Sequence, residues 1–181
     1  MTRTLTVAAA VLAFAALPAQ AQRQAADAPR PVEIGVDAGI IIGLGDNSRT
    51  EIDIPAQALR VGFPISPRSS LEPRIGIRVL SGGGDTFTLY NLELGWLYHF
   101  GSSKYPGAYQ RAGLYVRPFV GMFGASGDGS STSGLVGAGL GYKIPIIARL
   151  SSRFEANFAH AFGDAEGNQL GLLAGLSFFT R

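Results

Sequence analysis

The sequence predicts an all-β fold: an eight-stranded antiparallel up-and-down transmembrane β-barrel preceded by a cleavable signal peptide. Three observations carry this expectation. The chain opens with an export signal, yet no later segment is apolar for long enough to cross a bilayer as a helix, which takes roughly 20 residues. Apolar residues instead recur at every second position in eight separate runs. The residues between them are mostly glycines and single charges rather than the dense Lys/Glu/Asp mixture of a solvated surface.

Residues 1–21 read as the signal peptide. Arg3 gives the positive start, Val7 to Leu17 the apolar stretch, and Ala19-Gln20-Ala21 the small-residue cleavage site. Residues 22–30 form a polar, proline-containing leader with no periodicity, expected to be disordered. The barrel domain is expected over 31–181. With Arg3 removed, 14 basic residues face 13 acidic ones, so charge offers no case for nucleic acid. Cysteine is absent, which excludes disulfides, thiolate nucleophiles and cysteine metal sites.

Each strand follows from its alternation. In the first, Val32 to Ile42 face one way, while Glu33, Gly35 and Asp37 face the other, and 45–48 turn the chain. The second sets Leu59, Val61, Phe63 and Ile65 against Arg60 and Gly62. It can extend back to Glu51, with Pro55 marking an irregularity. After 66–70, Leu71, Ile75, Ile77 and Val79 oppose Glu72, Arg74 and Arg78. The fourth sets Leu92, Leu94, Trp96, Tyr98 and Phe100 against Asn91, Glu93 and His99. Phe87 and Leu89 are out of phase with it, so a bulge is expected near Tyr90.

The longest connection, 101–112, precedes the fifth strand, where Leu114, Val116, Val120 and Met122 oppose Tyr115, Arg117 and Phe119. Residues 124–133 read as a flexible loop by composition. The sixth strand places Val136 to Ile144 opposite three glycines and Lys143, and a tight turn is expected near Pro145. The seventh sets Phe154, Ala156, Phe158 and Phe162 against Arg153, Glu155 and Asn157. After the turn at 163–168, the eighth runs from Leu170 to Phe178. Gly95-Trp-Leu-Tyr98, Gly139-Leu-Gly-Tyr142 and Gly175-Leu-Ser-Phe178 overlay at the ends of even strands, as repeated hairpins would give.

Alternation alone fits two barrels, one soluble with its apolar face inward and one membrane-embedded with that face outward. The glycine-rich polar face favours the second. So does the near balance of its charges: Glu33, Asp37, Glu72, Glu93 and Glu155 can meet Arg60, Arg74, Arg78, Arg117, Lys143 and Arg153 as structural ion pairs in a confined lumen. Phe63, Trp96, Tyr98, Phe100, Tyr142 and Phe178 collect at one rim, as an aromatic girdle at the membrane interface would. With the N-terminus in the periplasm, that rim is the periplasmic one.

On the stretches Asn91-Leu-Glu-Leu-Gly-Trp-Leu-Tyr-His-Phe100, Leu135-Val-Gly-Ala-Gly-Leu-Gly-Tyr142 and Leu173-Ala-Gly-Leu-Ser-Phe178, the chain resembles the small outer-membrane β-barrel family. This is the "outer membrane protein beta-barrel domain" group, similar in layout to OmpA- and OmpX-type barrels. The resemblance implies the cell outer membrane, with membrane lipids and the barrel-assembly machinery as partners and no cofactor. The chain departs from the family pattern at Thr180-Arg181, where an aromatic ending is common.

No catalytic, cofactor-binding or metal-ligating residue is expected. His160, outward between Phe158 and Phe162, lacks a hydroxyl two positions on that it could activate. His99 has no cysteine or second inward histidine for a metal. Glu93 and Glu155 could pair for acid–base work, but the neighbouring arginines make salt bridges of them. The glycine-rich 81–85 and 124–131 lack the lysine and following helix of a phosphate loop. The expected function is therefore a structural or interaction role with a lumen closed by side chains. The alternatives are a narrow pore or small-ligand carrier, a lipid-modifying enzyme at the outer rim, and a soluble periplasmic or secreted barrel binding a small apolar ligand.

Overall fold

The computed structural model describes residues 31–44, 50–82, 85–100, 112–127 and 130–180; at 50–57, 80–82 and 85–86 it describes the backbone. The expected signal peptide and leader lie outside the described residues. Eight strands follow one another: β1 Glu33–Leu44, β2 Thr50–Pro64, β3 Ser69–Gly82, β4 Asp85–His99, β5 Gly113–Ser126, β6 Ser131–Ile147, β7 Leu150–Gly163 and β8 Gly167–Phe179. Each pairs antiparallel with its neighbours in sequence, and β8 pairs with β1, so the sheet closes as a barrel with no free edge. Thr180 fastens the seam, its hydroxyl accepting from the Val32 amide at 2.9 Å.

Backbone partners followed around the barrel from Glu33 pass through Gly62, Glu72, Gly95, Phe119, Gly137, Ala159 and Gln169. They return to β1 at Gly43, ten residues further on. With strands about 4.8 Å apart and a rise of about 3.3 Å per residue, that displacement tilts the strands by about 40°. At that tilt about 9–11 residues cross a bilayer, fewer than any of these strands contains.

The faces are inverted relative to a soluble barrel. Among the described residues, fourteen polar or charged side chains are buried against seven hydrophobic ones, while Ile34, Leu59, Ile77, Val120, Leu140 and Leu176 stand exposed on the outside. A lipocalin-like carrier needs an apolar interior; here the interior is charged and the apolar residues form a continuous outer belt.

Four details of the sequence reading meet the backbone directly. The irregularity expected at Pro55 is present: the β1–β2 register shifts between Val36↔Leu59 and Gly39↔Asp53. The bulge expected near Tyr90 is absent, because β4 keeps one register with β3 from Ser69↔Tyr98 to Gly82↔Asp85. Phe87 and Leu89 keep the parity of the inward row; Leu89 is half-buried, while Phe87 is exposed near the strand's start. The loop expected over 124–133 is shorter than that, because Gly124 and Ala125 pair with Thr132 and Ser131. The turn expected near Pro145 comes later: β6 runs on to Ile147, with Pro145 opposite Ser151 and the register shift just beyond it. A proline contributes no ladder donor, and a strand end with a bulge tolerates that.

Candidate functional site: the barrel interior

The end of the barrel where β1 begins and β8 ends (the terminal end) holds a single ion network. Glu33 on β1 joins two cations, Lys143 Nζ at 2.5 Å and Arg60 Nη1 at 2.6 Å. Arg60 also reaches Asp37 at 2.9 Å through Nε, and donates to the Ser177 hydroxyl at 2.9 Å. Arg153 bridges Glu72 at 2.5 Å and Glu155, while its Nε donates to the Tyr115 hydroxyl at 2.5 Å. That hydroxyl in turn donates to Glu155 at 2.8 Å. Arg117 meets Glu155 at 3.0 Å and Glu93 at 3.1 Å, and stacks over the Phe119 ring at 4.3 Å.

Arg74 sits among the carboxylates of Asp37, Glu72, Glu93 and Glu155 at 3.6–3.9 Å, beyond direct hydrogen-bonding distance. The structure thus brings together ten of the eleven charged residues named from sequence, five carboxylates and five cations. Arg78 lies further along β3, half-buried toward the opposite end.

Glycines make the network possible. A Cβ on Gly35 would strike the Arg60 guanidinium, one on Gly175 the Asp37 carboxylate, and one on Gly95 the Arg117 side chain at 2.9 Å. The repeated glycine of the sequence overlay therefore marks where a charged side chain from the next strand crosses. Gly141 is equally constrained, because its Cβ would meet the Tyr115 hydroxyl and, at 2.7 Å, the Phe154 carbonyl. Gly141→Ala is expected to destabilise the barrel by about 1–3 kcal/mol through overpacking. Equilibrium unfolding in detergent checks this, and a change below about 0.5 kcal/mol would show that Tyr115 is loosely held.

Beyond the ions lies an apolar cluster of Phe119, Leu135, Ala159 and Ala161, with Phe123 packed against them; the sequence reading placed Phe119 and Ala159 inside but missed Leu135, Ala161 and Phe123. Its signal was available, because Phe123 and Leu135 fall on the inward parity of their strands. The rim aromatics all lie at the terminal end. Phe63, Phe100, Tyr142 and Phe178 are exposed, and Trp96, Tyr98 and Phe100 form a row with ring centroids 6.1 and 5.3 Å apart. His99 is buried there, its Nδ1 3.3 Å from the Arg68 carbonyl and its ring 5.6 Å from Tyr115. His160 is half-buried toward the opposite end, where Nδ1 lies 3.0 Å from the Asn168 side-chain oxygen.

Comparison with known proteins agrees with this architecture. Neisserial surface protein A has a similar structure, with a TM-score of 0.59 at 14% identity over 81% of this chain and 96% of that one. The N-terminal β-barrel domain of Pseudomonas aeruginosa OprF gives 0.49 at 15% identity over 83% and 98%, and Ail of Yersinia pestis 0.45 at 11% over 83% and 97%. At such identities the likeness concerns the fold, and the first of the three carries it. No curated protein sequence matches the chain. The model of the outer membrane protein beta-barrel domain matches residues 7–178, nearly the whole chain, which therefore belongs to that family of outer-membrane β-barrels.

Proposed function

We propose that this chain is an integral barrel of the cell outer membrane with a structural or interaction role rather than an enzymatic one. It is exported through the cleaved signal peptide 1–21 and inserted by the barrel-assembly machinery, with its terminal end in the periplasm. The observation that carries this reading is the pairing of an unbroken apolar outer belt with an interior of mutually neutralising charges. An eight-stranded barrel is only wide enough to be filled by side chains, and the five cations and five carboxylates of the network are engaged with one another rather than lining an open path. The lumen is closed on this reading.

The pore reading draws on one contrary observation: the loose seat of Arg74, whose 3.6–3.9 Å contacts leave room for bridging water. Planar-bilayer recording separates the two. The closed lumen predicts silence across the range of applied voltage, whereas steady conductance abolished by chain-specific substitutions in the network would establish a pore.

A further inference from the structure

A groove crosses the outer wall of the barrel from β5 to β1. One cross-strand row along it reads Leu114, Tyr142, Phe154, Ala174, Ala38, each the backbone partner of the next. The row above runs from Leu140 through Ala156 to Ile40. Large side chains border both rows, but the middle is alanine over the backbone of Gly39 and Gly141, and the missing bulk leaves a cavity of about 650 Å³. That is the size of an ordinary small-molecule pocket, lined mostly by apolar side chains.

The position of the groove says what it can hold. Its foot, at Leu114 and Tyr142, lies within the aromatic rim at headgroup level. Its upper end, at Ile40, lies five to seven residues of strand height above that foot. At a tilt of about 40° this is a climb of about 15 Å, half of the ~30 Å hydrocarbon core. A path from headgroup level to the bilayer midplane is the course of one acyl chain in one leaflet. Below the foot, the exposed Arg149 in the β6–β7 turn offers a positive charge to the head of such a lipid.

We infer that this groove seats an acyl chain of an anionic phospholipid, with the phosphate at Arg149. The choice of phospholipid rests on the proposed periplasmic position of the terminal end, since that leaflet is the phospholipid one. The groove is continuous with the lipid-facing belt, and its lining is apolar except for Tyr142 at the foot and Glu155, whose carboxylate is already held from inside by Arg117 and Arg153.

The test is native mass spectrometry on barrel refolded from denaturant in lipid-free detergent. The barrel is offered equal amounts of phosphatidylglycerol and phosphatidylcholine, and in a second experiment phosphatidylglycerol and lipid A. The wild-type chain should retain one phospholipid, with phosphatidylglycerol preferred. Ala156→Leu combined with Ala174→Leu fills the groove from the outside and should lower retention about tenfold, a loss of about 1.4 kcal/mol. Arg149→Gln should keep the lipid but lose the headgroup preference.

Equal retention by the double leucine variant overturns the site. So does a double-mass species that the variant loses, which would make a second copy the occupant. Preference for lipid A over phosphatidylglycerol overturns it too, by placing this end in the other leaflet. Heat-dependent gel mobility of each sample separates the two levels of failure. A chain without it sinks the membrane reading together with the groove, and a heat-modifiable chain with unselective retention sinks the groove alone.

Discussion

Replacing Arg153 with methionine destabilises the folded barrel by about 3–5 kcal/mol, the cost of leaving buried carboxylates without their partner. Arg153 is 1% exposed and serves Glu72, Glu155 and the Tyr115 hydroxyl at once. Its loss leaves Glu72 with only the 3.6 Å contacts of Arg60 and Arg74, takes one of the two close arginines from Glu155, and leaves the Tyr115 oxygen without its donor. Methionine keeps much of the volume, which separates the electrostatic effect from a cavity. Adding Glu72→Met to the same chain should recover part of the loss, because a buried ion pair replaced by apolar groups is often nearly neutral. Guanidinium unfolding of the refolded barrel in lipid vesicles gives both values. A single-variant cost below about 1 kcal/mol would mean that water screens the network as it screens surface pairs, and the pore reading would then gain.

Val120→Arg destabilises the barrel by about 2–4 kcal/mol in vesicles, whereas Phe63→Arg costs about 0–1 kcal/mol, the depth dependence of a lipid-facing wall. Val120 is 53% exposed at mid-height on β5, between Leu94 and Val136, and Phe63 is 47% exposed at the rim. Their accessibilities are nearly equal, so only depth in the bilayer distinguishes them. In a water-soluble barrel both substitutions would fall within about 0.5 kcal/mol of neutral. The difference between the two midpoints, measured by the same unfolding assay, decides the matter.

Most of the architecture is legible because one physical rule governs it. A strand between lipid and a packed lumen must alternate, so Ile34, Val36 and Ala38 against Glu33, Gly35 and Asp37 already give both faces of β1. The rule weakens where the lumen changes character. Toward the end away from the termini the interior is partly apolar, so Leu89 and Phe123 point inward without a polar signal. Composition misled at 124–133, because small residues can complete a hairpin ladder as readily as form a loop.

Which charges would lie inside could be read from parity, but their partners could not. Arg153 on β7 meets Glu72 on β3, and Lys143 on β6 meets Glu33 on β1. Those pairs lie across the lumen and are set by the ten-residue displacement on closure, a property of the whole sheet rather than of any segment. The outer groove escaped notice for a similar reason. Ala38, Ala156 and Ala174 are unremarkable in their own strands and become neighbours only through the register.

The central claim is that the apolar face meets lipid, and the single tryptophan of the chain tests it most directly. Trp96 stands on the outer wall at the terminal rim, 37% exposed beside Tyr98. Its fluorescence should be quenched strongly by phospholipid brominated near the headgroup end of the chain, more weakly by lipid brominated near the chain terminus, and little by aqueous iodide. Strong quenching by iodide with none by either brominated lipid would place Trp96 in water and contradict the membrane-embedded barrel.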